Sequence, residues 1–169
     1  MISIDGNVYT GKTTLARSLA NRLGIAFVRE HNHFVRPTRG LDIWETHVAY
    51  IGAEIARKRS ITDENCILDR SIISLGAHVW AMHRLGYDMR ARFVDRMYED
   101  EKGIAIPETR IFLFCDHGTI FARSRSAGAA QKATAPLLLT PDYLCAIDEF
   151  LRKLDSGGTL LNSIERALL

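Results

Sequence analysis

The sequence predicts an α/β fold in which helices cover both faces of a doubly wound parallel sheet. Short apolar segments alternate with longer segments of helical periodicity, which is typical of strands joined by crossover helices. A glycine-rich loop separates the first predicted strand from the first predicted helix. The 169 residues are 47% hydrophobic and 25% charged, which suits one globular domain spanning 1–169.

The elements of the first half follow from apolar spacing and turn residues. Leu15, Leu19 and Leu23 recur every fourth residue and predict a helical face directed at the core, and Gly24 ends this helix. The run "NCILDRS" is apolar and then charged, as in a buried parallel strand that ends at Asp69. In chain order we predict a strand at 2–4, a helix at 13–23, a strand at 25–28, a helix at 41–59, the strand ending at 69 and a buried helix at 72–85.

The second half repeats the alternation and adds a segment without periodicity. Thr140, Pro141 and Asp142 predict a helix start, because they give a hydroxyl cap, a first-turn proline and an acid near the helix dipole. The segment "SAGAAQKATAP" is small and polar and predicts a mobile loop, within a lid at about 123–138. The other predicted elements are a helix at 88–101, a strand at 110–116, a helix at 119–125 and a short strand in "TLLN".

The glycine-rich loop has the spacing Gly6-x-x-x-x-Gly11-Lys12-Thr13, which is the phosphate-loop pattern of nucleotide-binding proteins. Its glycines permit backbone N–H groups to surround anionic oxygens at the start of a helix. Lys12 supplies a positive charge for the β- and γ-phosphates, and Thr13 supplies a hydroxyl ligand for Mg²⁺. The predicted ATP-binding residues are Gly6, Asn7, Val8, Tyr9, Thr10, Gly11, Lys12, Thr13 and Thr14.

Carboxylates follow the predicted strands, at the edge where open α/β sheets bind ligands. Asp69 is expected beside the phosphate loop and is the second predicted Mg²⁺ ligand, and Arg70 follows it to reach the acceptor. Glu30 comes directly after the strand "IAFV" and could accept the proton of an attacking hydroxyl. Asp116 also follows a strand, but we interpret it as a cap of the next helix.

These motifs resemble the deoxynucleoside kinase family. "ISIDGNVYTGKTTLARSLA" is similar to the start of that family, "ILDRS" to its Asp/Glu-Arg-Ser signature, and "LTPDYLCAIDEFLRKL" to the helix after its lid. The resemblance implies a P-loop NTPase fold of the nucleoside kinase type. It also implies ATP- and Mg²⁺-dependent phosphoryl transfer to the 5′-hydroxyl of a deoxynucleoside, and a homodimer.

The resemblance assigns roles to individual residues. Glu30 stands where the family places its general base, and the "RSR" segment resembles the family's lid arginines. Tyr50 stands where the family usually has a glutamine that contacts the base. The predicted catalytic residues are Lys12, Glu30, Arg70, Arg123 and Arg125, and the predicted acceptor-binding residues are Glu30, Trp44, Tyr50 and Arg70.

Two other functions fit the same motifs. A nucleoside monophosphate kinase of the thymidylate kinase type would use Arg36, Arg39 or Arg70 to hold the acceptor phosphate. A nucleotide-binding regulatory module with weak turnover would need only the loop. A GTPase is not favoured, because the sequence lacks an Asn-Lys-x-Asp segment.

Composition limits the class of partner. The net charge of +2 is too small to indicate a nucleic-acid or membrane surface. The cysteines Cys66, Cys115 and Cys145 form no closely spaced pair, and no apolar run has the length of a membrane span. We therefore expect a cytoplasmic protein whose partners are ATP and a small acceptor.

Overall fold

The computed structural model describes residues 1–35, 38–127, 136–154 and 159–169. The strands are β1 (Ile2–Gly6), β2 (Ala26–Val28), β3 (Cys66–Asp69) and β4 (Thr109–Leu113). The helices are α1 (Lys12–Leu23), α2 (Ile43–Ser60), α3 (Ile72–Arg84), α4 (Arg90–Glu99), α5 (His117–Ser126), α6 (Pro141–Lys153) and α7 (Leu160–Leu168). Short 3₁₀ turns lie at His31–His33, Glu101–Gly103 and Pro136–Leu139.

The strands form a parallel sheet in the order β2-β3-β1-β4. In this register Ile4 of β1 pairs with Asp69 of β3 and with Ile111 of β4. Strands β2 and β3 lie on one side of β1, and β4 lies on the other side, so the direction in which strands are added reverses at β1. Open sheets bind ligands at such a reversal, beyond the carboxyl ends of the strands. The residues that follow β1, β2 and β3 therefore lie at a common edge.

Successive side chains of β1 contact helices on opposite faces of the sheet. Ile4 packs with Ala16 of α1. Asp5 accepts hydrogen bonds from Ser71 and Ser74 at the start of α3. Because side chains alternate between the two faces of a strand, α1 and α3 cover opposite faces. The predicted doubly wound α/β fold is confirmed.

The predicted core face of α1 is confirmed for Leu19, which is half-buried and packs against the cluster that contains Ile4, but it is wrong for the other two leucines. Ala16 and Ala20 are 0% and 1% exposed, whereas Leu15 and Leu23 are 36% and 53% exposed. Alanine has a small side chain, so the helix backbone can approach the sheet closely. Leu15 and Leu23 then lie away from the face of the helix that contacts the sheet.

The last predicted strand is a helix. Thr159 caps α7, with its hydroxyl accepting a hydrogen bond from the backbone N–H of Asn162 at 3.3 Å. The apolar residues of this segment have helical spacing, and they pack α7 against α3 and α4. These buried residues are Leu160, Leu161, Ile164, Ala167 and Leu168.

Helix α3 is buried almost all round, as its composition predicts. It contacts α2, α4, α6 and α7 and forms the centre of the larger hydrophobic core. Among the described residues, no helix combines the length and the hydropathy needed to cross a membrane.

Candidate active site

The phosphate loop joins β1 to α1 with several residues in the left-handed region of backbone space. Gly6 has φ of 152° and Gly11 has φ of 95°. A Cβ atom at Gly6 would lie 2.4 Å from the carbonyl oxygen of Leu113, so β4 requires glycine here. Tyr9 also has a positive φ of 56°, which an L-residue adopts at some cost in energy. The chain is thus shaped for a tight loop over the end of β1.

Lys12 is 5% exposed and its ammonium group lies inside the loop. The Nζ atom donates hydrogen bonds to the carbonyl oxygen of Asn7 and to Oγ1 of Thr10, the latter at 3.3 Å. Burial lowers the pKa of Lys12 well below its usual value, and the charge of Arg70 lowers it further. The nearby carboxylates, Asp69 first among them, act in the opposite direction. An anion bound in the loop would favour the charged form of Lys12.

Thr13 and Asp69 lie together, as predicted. The Thr13 hydroxyl donates to Oδ2 of Asp69 at 2.6 Å, although the two residues are far apart in the chain. Asp69 is 2% exposed, and its Oδ1 has no hydrogen-bond partner among the described residues. A hydroxyl and a buried carboxylate with a free oxygen suit Mg²⁺, which prefers oxygen ligands and takes the rest from phosphates and water. These residues therefore fit the predicted metal site.

Glu30 and Arg70 form an ion pair beside the loop. Nε of Arg70 lies 2.8 Å from Oε2 of Glu30, and Nη1 lies 3.4 Å from the carbonyl oxygen of Gly6. Burial raises the pKa of Glu30, but Arg70, His31 and the amide of Asn32 together bring it below its usual value. The carboxylate is thus ionised and oriented toward the same space as the loop.

Arg57 of α2 supports this pair from behind, and our sequence interpretation gave it no role. It is 0% exposed, and Nη1 donates to the carbonyl oxygens of Asp69 at 3.3 Å and Arg70 at 3.0 Å. Its Nη2 pairs with Glu54, which also contacts His31 at 3.0 Å. The sequence does carry one indication of this pair, because Glu54 and Arg57 are opposite charges three residues apart in a predicted helix. Arg57 fixes the backbone that presents the Asp-Arg motif.

The two predicted aromatic residues of the acceptor site lie in different surroundings. Tyr50 is half-buried, and its ring meets that of His31 edge-on with centroids 5.2 Å apart. Burial raises the pKa of Tyr50, and the charge of Glu30 adds to this. Trp44 instead lies under the guanidinium of Arg92, 4.3 Å from its ring centroid. Tyr50 thus contacts the residue that follows Glu30, whereas Trp44 packs against α4, and the acceptor-binding role of both stays a prediction.

A cluster of two histidines and a tyrosine lies between α2, α3 and α6. The rings of His47 and His78 are stacked with centroids 4.8 Å apart, and Nδ1 of His78 lies 2.5 Å from the Tyr143 hydroxyl. Burial, followed by the influence of His47, lowers the pKa of His78 to about 3. Burial also lowers the pKa of His47, although a bond from its ring to the Ile43 carbonyl partly offsets this. Both rings are neutral near pH 7.

This cluster predicts a stability that falls in mild acid. As pH falls below about 6.5, the unfolded chain protonates its histidines, while folded His78 stays neutral until about pH 3. The free energy of unfolding should therefore decrease between about pH 7 and pH 5, by up to roughly 1 kcal/mol per pH unit. Urea unfolding across this range measures the effect. The variant His78→Asn should flatten the curve, and exposed His33→Asn should leave it as steep as in the parent protein.

The predicted lid arginines lie on α5. Arg123 is exposed and donates from Nη1 to the carbonyl oxygen of Tyr9 at 3.0 Å, so it already reaches the phosphate loop. Arg125 is exposed on the last turn of the same helix. Asp116 caps this helix as predicted, accepting from the N–H of Thr119 at 2.8 Å. Most of the predicted lid, residues 128–135, lies outside the described residues, as does Arg36 of the monophosphate alternative.

The solved structures that resemble this chain include a deoxyadenosine kinase. No protein-family model and no curated protein matches the sequence. A deoxyadenosine kinase from M. mycoides with bound dATP matches with a TM-score of 0.66 and 16% identity, over 98% of this chain and 95% of that chain. This chain has the fold of the deoxynucleoside kinases.

Two further structures support the same fold. The M. mycoides deoxyadenosine kinase with the products dCMP and a flexible dCDP bound matches with a TM-score of 0.66 and 15% identity, over 98% of this chain and 94% of that chain. The YorR protein from Bacillus subtilis, in complex with phosphorylated GDP, matches with a TM-score of 0.50 and 17% identity, over 98% and 91%. The resemblance drawn from the motifs is confirmed at the level of the fold.

Proposed function

We propose that this protein is a kinase that transfers the γ-phosphate of ATP to the 5′-hydroxyl of a deoxynucleoside. The observation that carries this proposal is the Glu30–Arg70 ion pair, which lies beside the phosphate loop at the ends of β2 and β3. The solved structures similar to this chain support the choice of acceptor, because two of them are of a deoxyadenosine kinase, one with dATP bound and the other with dCMP and dCDP.

The phosphate loop and Lys12 would bind the triphosphate. Phosphate oxygens would replace the Asn7 carbonyl and the Thr10 hydroxyl as hydrogen-bond acceptors for the Lys12 ammonium. Thr13 and Asp69 would hold Mg²⁺, which neutralises charge on the β- and γ-phosphates when bound. Arg123, which lies 3.0 Å from the loop carbonyl of Tyr9, and Arg125 are proposed to add positive charge near the transferred group.

Glu30 would act as the general base. The 5′-oxygen of the acceptor forms a bond to the γ-phosphorus, the bond from that phosphorus to the bridging oxygen breaks, and ADP leaves. The proton of the hydroxyl passes to the Glu30 carboxylate, which is ionised at neutral pH. Arg70 would orient Glu30 through Nε, and its Nη1 donates to the carbonyl oxygen of Gly6 at 3.4 Å.

One observation favours the monophosphate kinase alternative. The lowered pKa of Glu30 makes its carboxylate a weaker base, and a phosphate acceptor that is already ionised needs little help from a base. In that reaction Arg70 would release Glu30 and hold the acceptor phosphate. Arg39, which is exposed, is the second described candidate for that role.

An ADP-release assay with a panel of acceptors tests the proposal. With ATP and Mg²⁺, we expect ADP formation that depends on a deoxynucleoside, and none when EDTA removes the metal. Turnover with monophosphates and none with nucleosides would establish the alternative instead. Tight ATP binding with no acceptor-dependent ADP formation would contradict both kinase functions and favour the regulatory module.

A further inference from the structure

The side chain of Asn7 extends from the phosphate loop to α6 and forms hydrogen bonds there. Its Nδ2 donates one hydrogen bond to the carbonyl oxygen of Leu144 at 3.0 Å and a second to Oδ1 of Asp148 at 2.7 Å. Both amide hydrogens are thus used. Asn7 is 2% exposed and Asp148 is 7% exposed, so this connection is shielded from water. A loop residue is in this way attached to a helix more than a hundred residues away in the chain.

The backbone of the same residue faces the lysine of the loop. The Asn7 carbonyl oxygen accepts hydrogen bonds from Nζ of Lys12 and from Oγ1 of Thr10, the second at 2.9 Å. The Asn7 side chain thus anchors to α6 the residue whose backbone carbonyl faces Lys12, and loss of this anchor would free that part of the loop backbone. Asp148 provides the shorter of the two contacts in this anchor, and it is the only charged partner of the Asn7 amide among the described residues.

The second oxygen of Asp148 is directed to the helix that carries the arginines. Its Oδ2 lies 3.5 Å from Nε2 of His117, the first residue of α5. At the far end of α5, Arg123 donates back to the Tyr9 carbonyl of the loop. The phosphate loop, α6 and α5 are thus each in contact with the other two, and Asp148 makes two of these three contacts.

We infer that Asp148 is a positioning residue for the phosphate loop. It holds Asn7, sets the carbonyl group that faces Lys12, and ties the loop to the arginine-bearing helix. This inference rests on the proposed function only in that the loop binds ATP.

The test compares substitutions at Asp148 by the affinity for a non-hydrolysable ATP analogue, measured by calorimetry. Asp148→Ala leaves the Asn7 amide without its charged partner, and we expect affinity to fall by about 10-fold or more. Asp148→Asn keeps an acceptor oxygen for Asn7 and should retain most of the parent affinity. The KM of the acceptor should change little in either variant. Glu149→Ala is the matched control, because among the described residues this neighbouring carboxylate pairs only with Lys153, at 3.3 Å, on the surface side of α6.

The outcomes separate a positioning role from a general loss of stability. Parent-like ATP affinity in Asp148→Ala overturns the inference, as does an equal loss in Asp148→Ala and Asp148→Asn. If Asp148→Ala does not melt cooperatively, Asn7→Ala provides the second test. The double variant Asn7→Ala, Asp148→Asn should then bind no more weakly than Asn7→Ala alone, and additive losses overturn the inference.

The parent protein distinguishes failure of this inference from failure of the proposed function. A parent that binds the ATP analogue but phosphorylates no acceptor contradicts the kinase proposal and leaves the positioning role measurable. A parent that binds no ATP analogue overturns both.

Discussion

Replacing Lys12 with alanine is expected to lower kcat by about 10²–10³-fold or more. The Lys12 ammonium is buried inside the loop, and no other lysine is described there. Its lowered pKa shows that burial penalises the charged form, so its removal should not destabilise the fold. We expect a melting temperature equal to or above that of the parent protein. Coupled ADP-release kinetics and thermal melting measure the two effects.

Two variants make the Lys12 result interpretable. Lys12→Met keeps most of the side-chain volume without the charge and should be as inactive as Lys12→Ala. Lys102→Ala removes an exposed lysine from the turn after α4 and should be fully active. Parent-like turnover in Lys12→Ala would show that the loop is not the phosphate site.

Replacing Glu30 with glutamine should lower kcat by about 10²–10⁴-fold, the usual contribution of a general base. The side-chain oxygen of glutamine can still accept the hydrogen bond from Nε of Arg70, so the ion-pair geometry is largely kept. The affinity for the ATP analogue should change little, because the phosphate loop is unaltered. Exposed Glu108→Gln, which lies before β4, is the control for loss of one carboxylate.

The pH profile gives an independent measurement of the same role. Arg70 and the neighbouring donors hold the pKa of Glu30 below its usual value, so the carboxylate is ionised near neutral pH and kcat should stay constant as pH falls from about 7 to 5. The rate should fall only below the pKa of Glu30, when the base is protonated. A Glu30→Gln variant with parent-like kcat on its best acceptor would refute the assignment, and the monophosphate kinase function would then be favoured.

The sequence predicted the centre of the site because parallel strands end at one edge of a sheet. The loop after β1, Glu30 after β2 and the Asp69–Arg70 pair after β3 are each next to a local apolar run. Their convergence follows from topology alone. The core face of α1 could not be predicted as easily, because two alanines pack closer to the sheet than the leucines beside them.

The supporting contacts were harder to predict because their partners are distant in the chain. Arg57 holds backbone carbonyls, and no sequence pattern identifies which carbonyls a buried guanidinium will meet. Asn7, in the loop after β1, contacts Asp148 of α6, which comes 141 residues later in the chain, and no local periodicity indicates that these two elements meet. His47 and His78 come together only because α2 packs against α3. Each of these pairs depends on tertiary packing rather than on local spacing.

Asp5 connects two segments that both belong to the site. This fully buried carboxylate on β1 accepts hydrogen bonds from the backbone and hydroxyl of Ser71, each at 2.9 Å, and from the Ser74 hydroxyl at 2.6 Å. If the first turn of α3 opened, the buried Asp5 carboxylate would lose the donors from Ser71 and Ser74, which is costly. The loop end of β1 and the start of α3 should therefore open together, as one cooperative unit in amide hydrogen exchange. Phosphate binding at the loop would then slow exchange at the start of α3, although the two are 66 residues apart.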